Sequence, residues 1–237
     1  MIHNNRAKKL FAAVAAACSL FLQACRQSAP RTPEELGRGA YFSFNCNRCH
    51  RIGHMGNTDA PDLTFVGFRH TKEWLDLWMR DSKSWKKDTV MPDFHLEPVT
   101  RENLVAYMAS LKGQGLEGER PWNEAKLLKD PVKRGAVLYE RLGCAACHGR
   151  NGQGGYPNNN VAGGKIPAVI YAADGYSREE LANLIRKGRR PEKEKPDGLE
   201  PMITMPAWGD ILSDDEIGAL AGYLYSLRPP MSKEDQW

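Results

Sequence analysis

One five-residue motif constrains this chain more than anything else in it, because it occurs twice: Cys46-Asn47-Arg48-Cys49-His50 and Cys144-Ala145-Ala146-Cys147-His148. Cysteines at this spacing put both thiols on one side of a first helical turn. There they can add across the two vinyl groups of one porphyrin while the histidine points at the iron, so the motif reads as covalent attachment of c-type haem. Two other readings of such a motif are a zinc knuckle and a dithiol redox site. A zinc knuckle needs two further ligands per motif at matched spacing, and none accompanies either copy. A thioredoxin-like dithiol belongs to an alternating strand–helix pattern, which the chain lacks.

The motif sits in a longer repeat. The first copy opens on Thr32-Pro33-Glu34-Glu35, with proline at the first helical position and a capping-box glutamate. Arg38-Gly39-Ala40 before the first motif matches Arg134-Gly135-Ala136 before the second. A short helix follows in each: Thr71 opens one, with Trp74, Leu75, Trp78 and Met79 at helical spacing. Ser177 and Glu180 cap the other, with Leu181, Leu184 and Ile185 as its apolar face. Then comes a Met-Pro pair, Met91-Pro92 and Met205-Pro206. Each copy ends in an amphipathic helix, with Leu104, Tyr107, Met108 and Leu111 in one and Ile217, Leu220, Ala221 and Leu224 in the other. Ser213 and Glu216 form another capping box. No segment has a convincing strand pattern. Gly113 to Asp130, rich in glycine and charge, reads as the linker. Each half has a thin apolar core for its length, and a buried porphyrin would supply the missing mass.

The N-terminus carries its own signals. Arg6, Lys8 and Lys9 precede an apolar run of 13 residues, Leu10 to Leu22, the proportions of an export signal rather than a membrane span. The run ends in Leu22-Gln23-Ala24-Cys25, which resembles the bacterial lipobox and marks Cys25 as the lipidated first residue of the mature protein. An ordinary cleaved signal and an uncleaved anchor are the alternatives. Cys18 has Ala15 where the lipobox leucine belongs. With Cys18 removed and Cys25 lipidated, the four motif cysteines are all that remain of six. The formal net charge is +4. The signal holds three of those cations and no acid, so the rest is close to neutral, without the basic footprint of a nucleic-acid binder.

A second axial ligand is expected later in each copy, and methionine sulfur is the choice that suits an electron carrier. In the first copy Met79 and Met108 fall on apolar helix faces, and Met55 is too near His50 to cross a porphyrin. Met91, in a loop between helices, is the better candidate. In the second copy Met205 holds the parallel place, with Met202 its local rival. An iron-bound histidine usually donates its other ring N–H to an acceptor. Pro61 and Pro167 are placed to offer carbonyls, although both could simply be loop breakers.

On these residues the chain from about Thr32 to Arg228 resembles a tandem dihaem cytochrome c, two class I bacterial cytochrome c domains in series. The resemblance implies an all-α fold, each domain a small set of helices around a haem c with one edge exposed, and His/Met ligation of two haems. The ligand sets would be His50 with Met91 and His148 with Met205. The first copy departs from the pattern: three tryptophans lie between Trp74 and Lys87, and Arg51-Ile52-Gly53 follows the motif where the second copy has Gly149. The expected layout is residues 1–24 signal, 25–31 tether, 32–112 first domain, 113–130 linker, 131–230 second domain and 231–237 tail. The expected function is one-electron transfer in a periplasmic or cell-surface respiratory chain. The protein would be a lipid-tethered carrier or a subunit of a membrane oxidoreductase complex, with redox proteins as partners. A dihaem enzyme of the peroxidase or thiosulfate-oxidising type is the alternative. Both copies keep a credible methionine and no mature cysteine is spare, which weighs against it. The mixed-charge run Arg189–Gly198 reads as a solvated loop or a docking element.

Overall fold

The computed structural model describes residues 31–230. All elements named below belong to one compact unit that begins at Pro33. The first repeat builds α1 (Pro33–Ser43), a 3-10 turn (Cys46–Arg48), a hairpin of β1 (Arg51–Ile52) and β2 (Met55–Gly56), then α2 (Val66–Arg69), α3 (Lys72–Arg80), α4 (Ser82–Trp85) and α5 (Pro98–Ser110). The second builds α6 (Ala125–Leu128), α7 (Pro131–Arg141), α8 (Ala145–His148), α9 (Ala172–Gly175), α10 (Arg178–Lys187), a 3-10 turn (Trp208–Asp210) and α11 (Asp214–Ser226). The class is all-α, as expected. The hairpin, absent from the sequence reading, has strands of two residues, too short for an alternating pattern to register. Gly53 (φ 59°) and Gly56 (φ 97°) make its turn possible, and a Cβ at Gly56 would lie 2.1 Å from the His50 carbonyl oxygen.

The helix starts follow their capping residues. The Thr71 side chain accepts from Trp74 N–H, and Ser177–Glu180 and Ser213–Glu216 both close full capping boxes. In each repeat the helix that leads into the cysteine motif, α1 or α7, packs against the last helix at a glycine. A Cβ at Gly37 in α1 would fall 1.9 Å from the Asn103 carbonyl oxygen and 2.8 Å from Tyr107 Cβ of α5. A Cβ at Gly135 in α7 would fall 2.2 Å from the Ala219 carbonyl oxygen and 2.6 Å from Tyr223 Cβ of α11. The structural partner of Gly135 is therefore Gly37, not Gly39, which has open space around it. The Arg-Gly-Ala match is a slipped register. Pairing Gly37 with Gly135 also aligns Tyr41 with Tyr139, both buried to 1% exposure, and the two cysteine motifs without a gap.

The two cores interpenetrate. The cluster around Tyr41, Trp74, Leu104 and Met108 includes Ile166 and Ile203 from the second repeat. The cluster around Leu138, Ile185, Ile217 and Leu220 includes Phe65 from the first. The stretch read as a linker also contributes to the core: Leu116, Trp122 and Leu127 are buried. Glu216 fastens it. Its carboxylate accepts from the Trp122 indole and, at 3.0 Å, from Arg120, while Arg134 donates to the Trp122 carbonyl oxygen at 3.1 Å and to Asn123 Oδ1 at 2.8 Å. Residues from Arg120 on are thus held to α7 and α11, and the glycine and charge content of the stretch gave no sign of it. Among the described residues no helix is long and apolar enough to cross a membrane.

Candidate functional site

The first attachment turn starts where α1 ends. Asn45 adopts a left-handed conformation (φ 56°), a geometry that asparagine tolerates, and turns the chain into Cys46–Arg48. His50 N–H bonds back to the Cys46 carbonyl oxygen at 2.9 Å, and the Tyr41 hydroxyl donates to the His50 carbonyl oxygen at 3.1 Å. The second turn begins at Gly143 (φ 75°), with His148 N–H on the Cys144 carbonyl oxygen at 2.9 Å and the Tyr139 hydroxyl on the Gly149 carbonyl oxygen at 2.7 Å.

Both histidines make the bond that a metal ligand requires. His50 Nδ1 lies 2.8 Å from the Pro61 carbonyl oxygen, and His148 Nδ1 lies 3.0 Å from the Pro167 carbonyl oxygen. A carbonyl can only accept, so Nδ1 carries the proton in each ring and the Nε2 lone pair is left free. Burial holds both imidazoles below the ordinary histidine range, against the pull of the proline carbonyls, which keeps them in the neutral, ligating form. Close approach at Pro167 needs Gly154: a Cβ there would lie 2.6 Å from the Pro167 oxygen.

All four motif cysteines are free thiols. Burial pushes Cys46 up to about 11 and Cys144 up to about 12, and raises Cys147 as well. Burial of this kind disfavours a nucleophilic thiolate at Cys46, Cys144 and Cys147. Among the described residues no group of three histidine, cysteine or acidic side chains is arranged to hold a metal ion.

The methionines separate by environment. Met55 is 55% exposed and Met108 is buried on α5. Met91 is half-buried, with its sulfur 3.0 Å from the Trp78 indole nitrogen; Trp78, Met79 and Cys46 all pack against the first cluster. Met205 packs against the second cluster, as Cys144 does, and is fixed by paired backbone bonds with Arg189, at 2.9 and 3.0 Å. Met202 packs against the first cluster instead. The mixed-charge run is partly tied down, by a bridge from Lys193 to Val161 and an Arg190–Glu200 ion pair. Cys25 lies outside the described residues.

The chain's residues fit a porphyrin. Each motif offers two thiols and an imidazole with a free Nε2, and each repeat carries a methionine before proline, Met91 against Trp78 and Met205 against the second cluster. The first also holds buried polar groups without partners, Trp74 Nε1 and His70 Nδ1, of the kind that propionates satisfy. Trp74 stacks between His70 (3.7 Å between ring centroids) and Trp78 (5.4 Å).

Sequence reasoning missed a buried charged cluster between the repeats. Asp62, Arg69 and Arg141 are all under 10% exposed. Arg141 Nε is 3.3 Å from Asp62 Oδ2, and its guanidinium also reaches the Gly53 carbonyl oxygen. Arg69 donates to the carbonyl oxygens of Gly143 at 3.0 Å and Asp62 at 2.8 Å. Burial pushes the Asp62 carboxyl above its ordinary range, against Thr64, Arg141 and Arg69. Only the position of Asp62, directly after Pro61, hinted at this cluster.

Comparison with known proteins agrees with this geometry. Residues 130–224 match the family of cytochrome c oxidase, cbb3-type, subunit III. The cbb3-type cytochrome c oxidase subunit FixP of Azorhizobium caulinodans is 24% identical over 200 residues, 78% of this chain and 57% of that protein. The subunit CcoP of Rubrivivax gelatinosus is 25% identical over 236 residues, 95% of this chain and 65% of that protein. The chain therefore spans roughly three fifths of the length of these oxidase subunits. Cytochrome c6 of Euglena gracilis is 30% identical over 87 residues, which cover 78% of that protein. With this last match and the two histidine-bearing attachment turns, the chain belongs to the cytochrome c family.

Proposed function

We propose that the protein is a dihaem c-type cytochrome that carries electrons one at a time within a respiratory chain. Cys46 and Cys49 would hold one haem c with His50 and Met91 as axial ligands, and Cys144 and Cys147 the other with His148 and Met205. The single observation that carries this reading is the pair of Nδ1–H bonds to Pro61 and Pro167, which leave two equivalent Nε2 donors beside two pairs of free thiols. The bound groups supply a reversible one-electron change at iron, and each proline carbonyl orients its imidazole and raises its basicity. Thioether sulfur favours the ferrous state and sets the potential high, which suits a carrier. With His50 and Met91 holding one haem and His148 and Met205 the other, neither centre would be open to a substrate, so the reading is of an electron-transfer protein rather than an enzyme. Similarity to FixP and CcoP supports a place in a membrane oxidase complex or beside one. Lipidation at Cys25, facing the periplasm or cell surface, would hold it at the membrane and raise its effective concentration near its partners.

Mass spectrometry of the exported protein after haem extraction tests the reading directly. Two retained haem masses are expected, and none would overturn it. Met91→Ala and Met205→Ala are each expected to convert one haem to another ligation state and lower its potential. Spectra and potentials unchanged from the parent in either variant would remove that residue from the ligand set.

A further inference from the structure

Arg69 is buried to 8% exposure and has no carboxylate bonded to its guanidinium; its two donated bonds go to backbone carbonyls that belong to different haem centres. One is Asp62, the neighbour of Pro61, whose own carbonyl receives the His50 proton at 2.8 Å. The other is Gly143, the neighbour of Cys144. Following the bonds gives a continuous route: His50 ring, Pro61 carbonyl, Asp62 carbonyl, Arg69 guanidinium, Gly143 carbonyl, Cys144. The contact is tight, since a Cβ at Gly143 would lie 2.4 Å from Arg69 Cζ.

Resting on the reading of two haem centres, we propose that Arg69 is the positioning residue that locks them to each other. A single planar guanidinium holds the loop that orients the first axial histidine and the turn that carries the second pair of thiols in one rigid frame. Arginine suits the task because its fork presents two parallel donors, one to each carbonyl. Lysine, with a single compact ammonium, cannot hold both in that geometry. Asp62 and Arg141 brace the same loop with the ion pair and the Gly53 bond described above. Arg150 provides an internal control. It also links the two repeats, to the Thr58 and Asp59 carbonyl oxygens at 2.8 and 3.3 Å on the loop that leads into Pro61, but from the exposed surface and not through a residue next to Pro61 or Cys144.

The test uses the full holoprotein with Arg69→Met, Arg69→Lys and Arg150→Met. Two haem masses in each variant show that the centres are intact, which separates failure of this inference from failure of the dihaem reading. Pulsed EPR between the two ferric centres, inter-haem electron-transfer kinetics and the potential of each haem are then compared with the parent. Arg69→Met is expected to broaden the distance distribution, slow inter-haem transfer about tenfold or more and shift the His50 centre's potential, since buried hydrogen-bond networks carry coupling of this order. Arg69→Lys should fall between Arg69→Met and the parent, and Arg150→Met should match the parent. If Arg69→Met fails to fold, the comparison of Arg69→Lys with Arg150→Met decides. An Arg69 variant that retains both haems with the parent's distance distribution, transfer rate and potentials would overturn the proposal, as would an equal effect from Arg150→Met.

Discussion

The first attachment turn, Cys46–His50, and the second, Cys144–His148, share a motif and differ in what surrounds them. The first faces outward: Cys49 is exposed, and Phe42, Phe44 and Met55 around it keep 37%, 37% and 55% of their surface. The second is half-buried from Cys144 to His148, with Arg69 of the other repeat seated against Gly143. The motif sets the chemistry and the neighbours set the access. The two motifs thus share a sequence and a histidine–proline bond but sit in different environments, and contacts made between the repeats are part of that difference.

The comparison can be broken most sharply at Trp122. It is fully buried and ties the stretch 113–130 to α11 of the second repeat through Glu216. Trp122→Ala is expected to cost about 3–5 kcal/mol, a large fraction of a domain's stability. Urea unfolding followed separately at the two haems should show the second centre lost first. Loss of the first centre ahead of the second would show that the fastening serves both repeats alike. Next in size come the helix crossings. Gly37→Ala and Gly135→Ala should each cost about 1–3 kcal/mol or more by forcing helices apart, while Gly39→Ala should be neutral or stabilise by about 0.5–1 kcal/mol. Equal midpoints for Gly37→Ala and Gly39→Ala in thermal unfolding would restore the slipped register.

The smallest effect depends on pH. Burial raises the Glu216 carboxyl, but the Ser213 N–H, the Trp122 indole and Arg120 outweigh it and hold the group below the ordinary glutamate range. Its contribution is therefore present above the ordinary carboxylate value and is lost as pH falls below that value toward the depressed folded one. The matching helix α5 starts at Glu97 with no side-chain cap bond. Acid titration should destabilise the second repeat more than the first, and Glu216→Gln should remove that difference. An acid profile unchanged by Glu216→Gln would show that other groups set it.

Much of this architecture was legible because its signals are local. Capping boxes at Ser177 and Ser213, the helical stripes and the two cysteine motifs each depend on residues a few positions apart. The proline carbonyls could be anticipated because an axial histidine needs an acceptor and few loops offer one. Arg69 and Arg141 could not be anticipated. Each lies in the last turn of a helix, where a basic residue is an ordinary solvated end, and partners distant in the chain, a carbonyl of the other repeat among them, make burial tolerable. Their partners are 74 and 88 positions away in the chain. Trp122 was hidden for the opposite reason: its neighbours Glu117, Gly118, Glu119 and Arg120 have the composition of a loose connector, and only the carboxylate of Glu216 shows otherwise.

The seat of Arg69 against Gly143 also orders events in time. Synthesis proceeds from the N-terminus, so Arg69, Asp62 and Phe65 emerge well before their partners in the second repeat exist. Until the second half arrives, the guanidinium stays hydrated and the apolar surface beside it stays open. Docking must then strip water from a cation and seal that surface in the same step. A chain stopped after the first repeat would carry a charged, sticky face with nothing to close it. The loop around Asp62 is therefore fully packed only once Arg141 and Gly143 of the second repeat have been delivered.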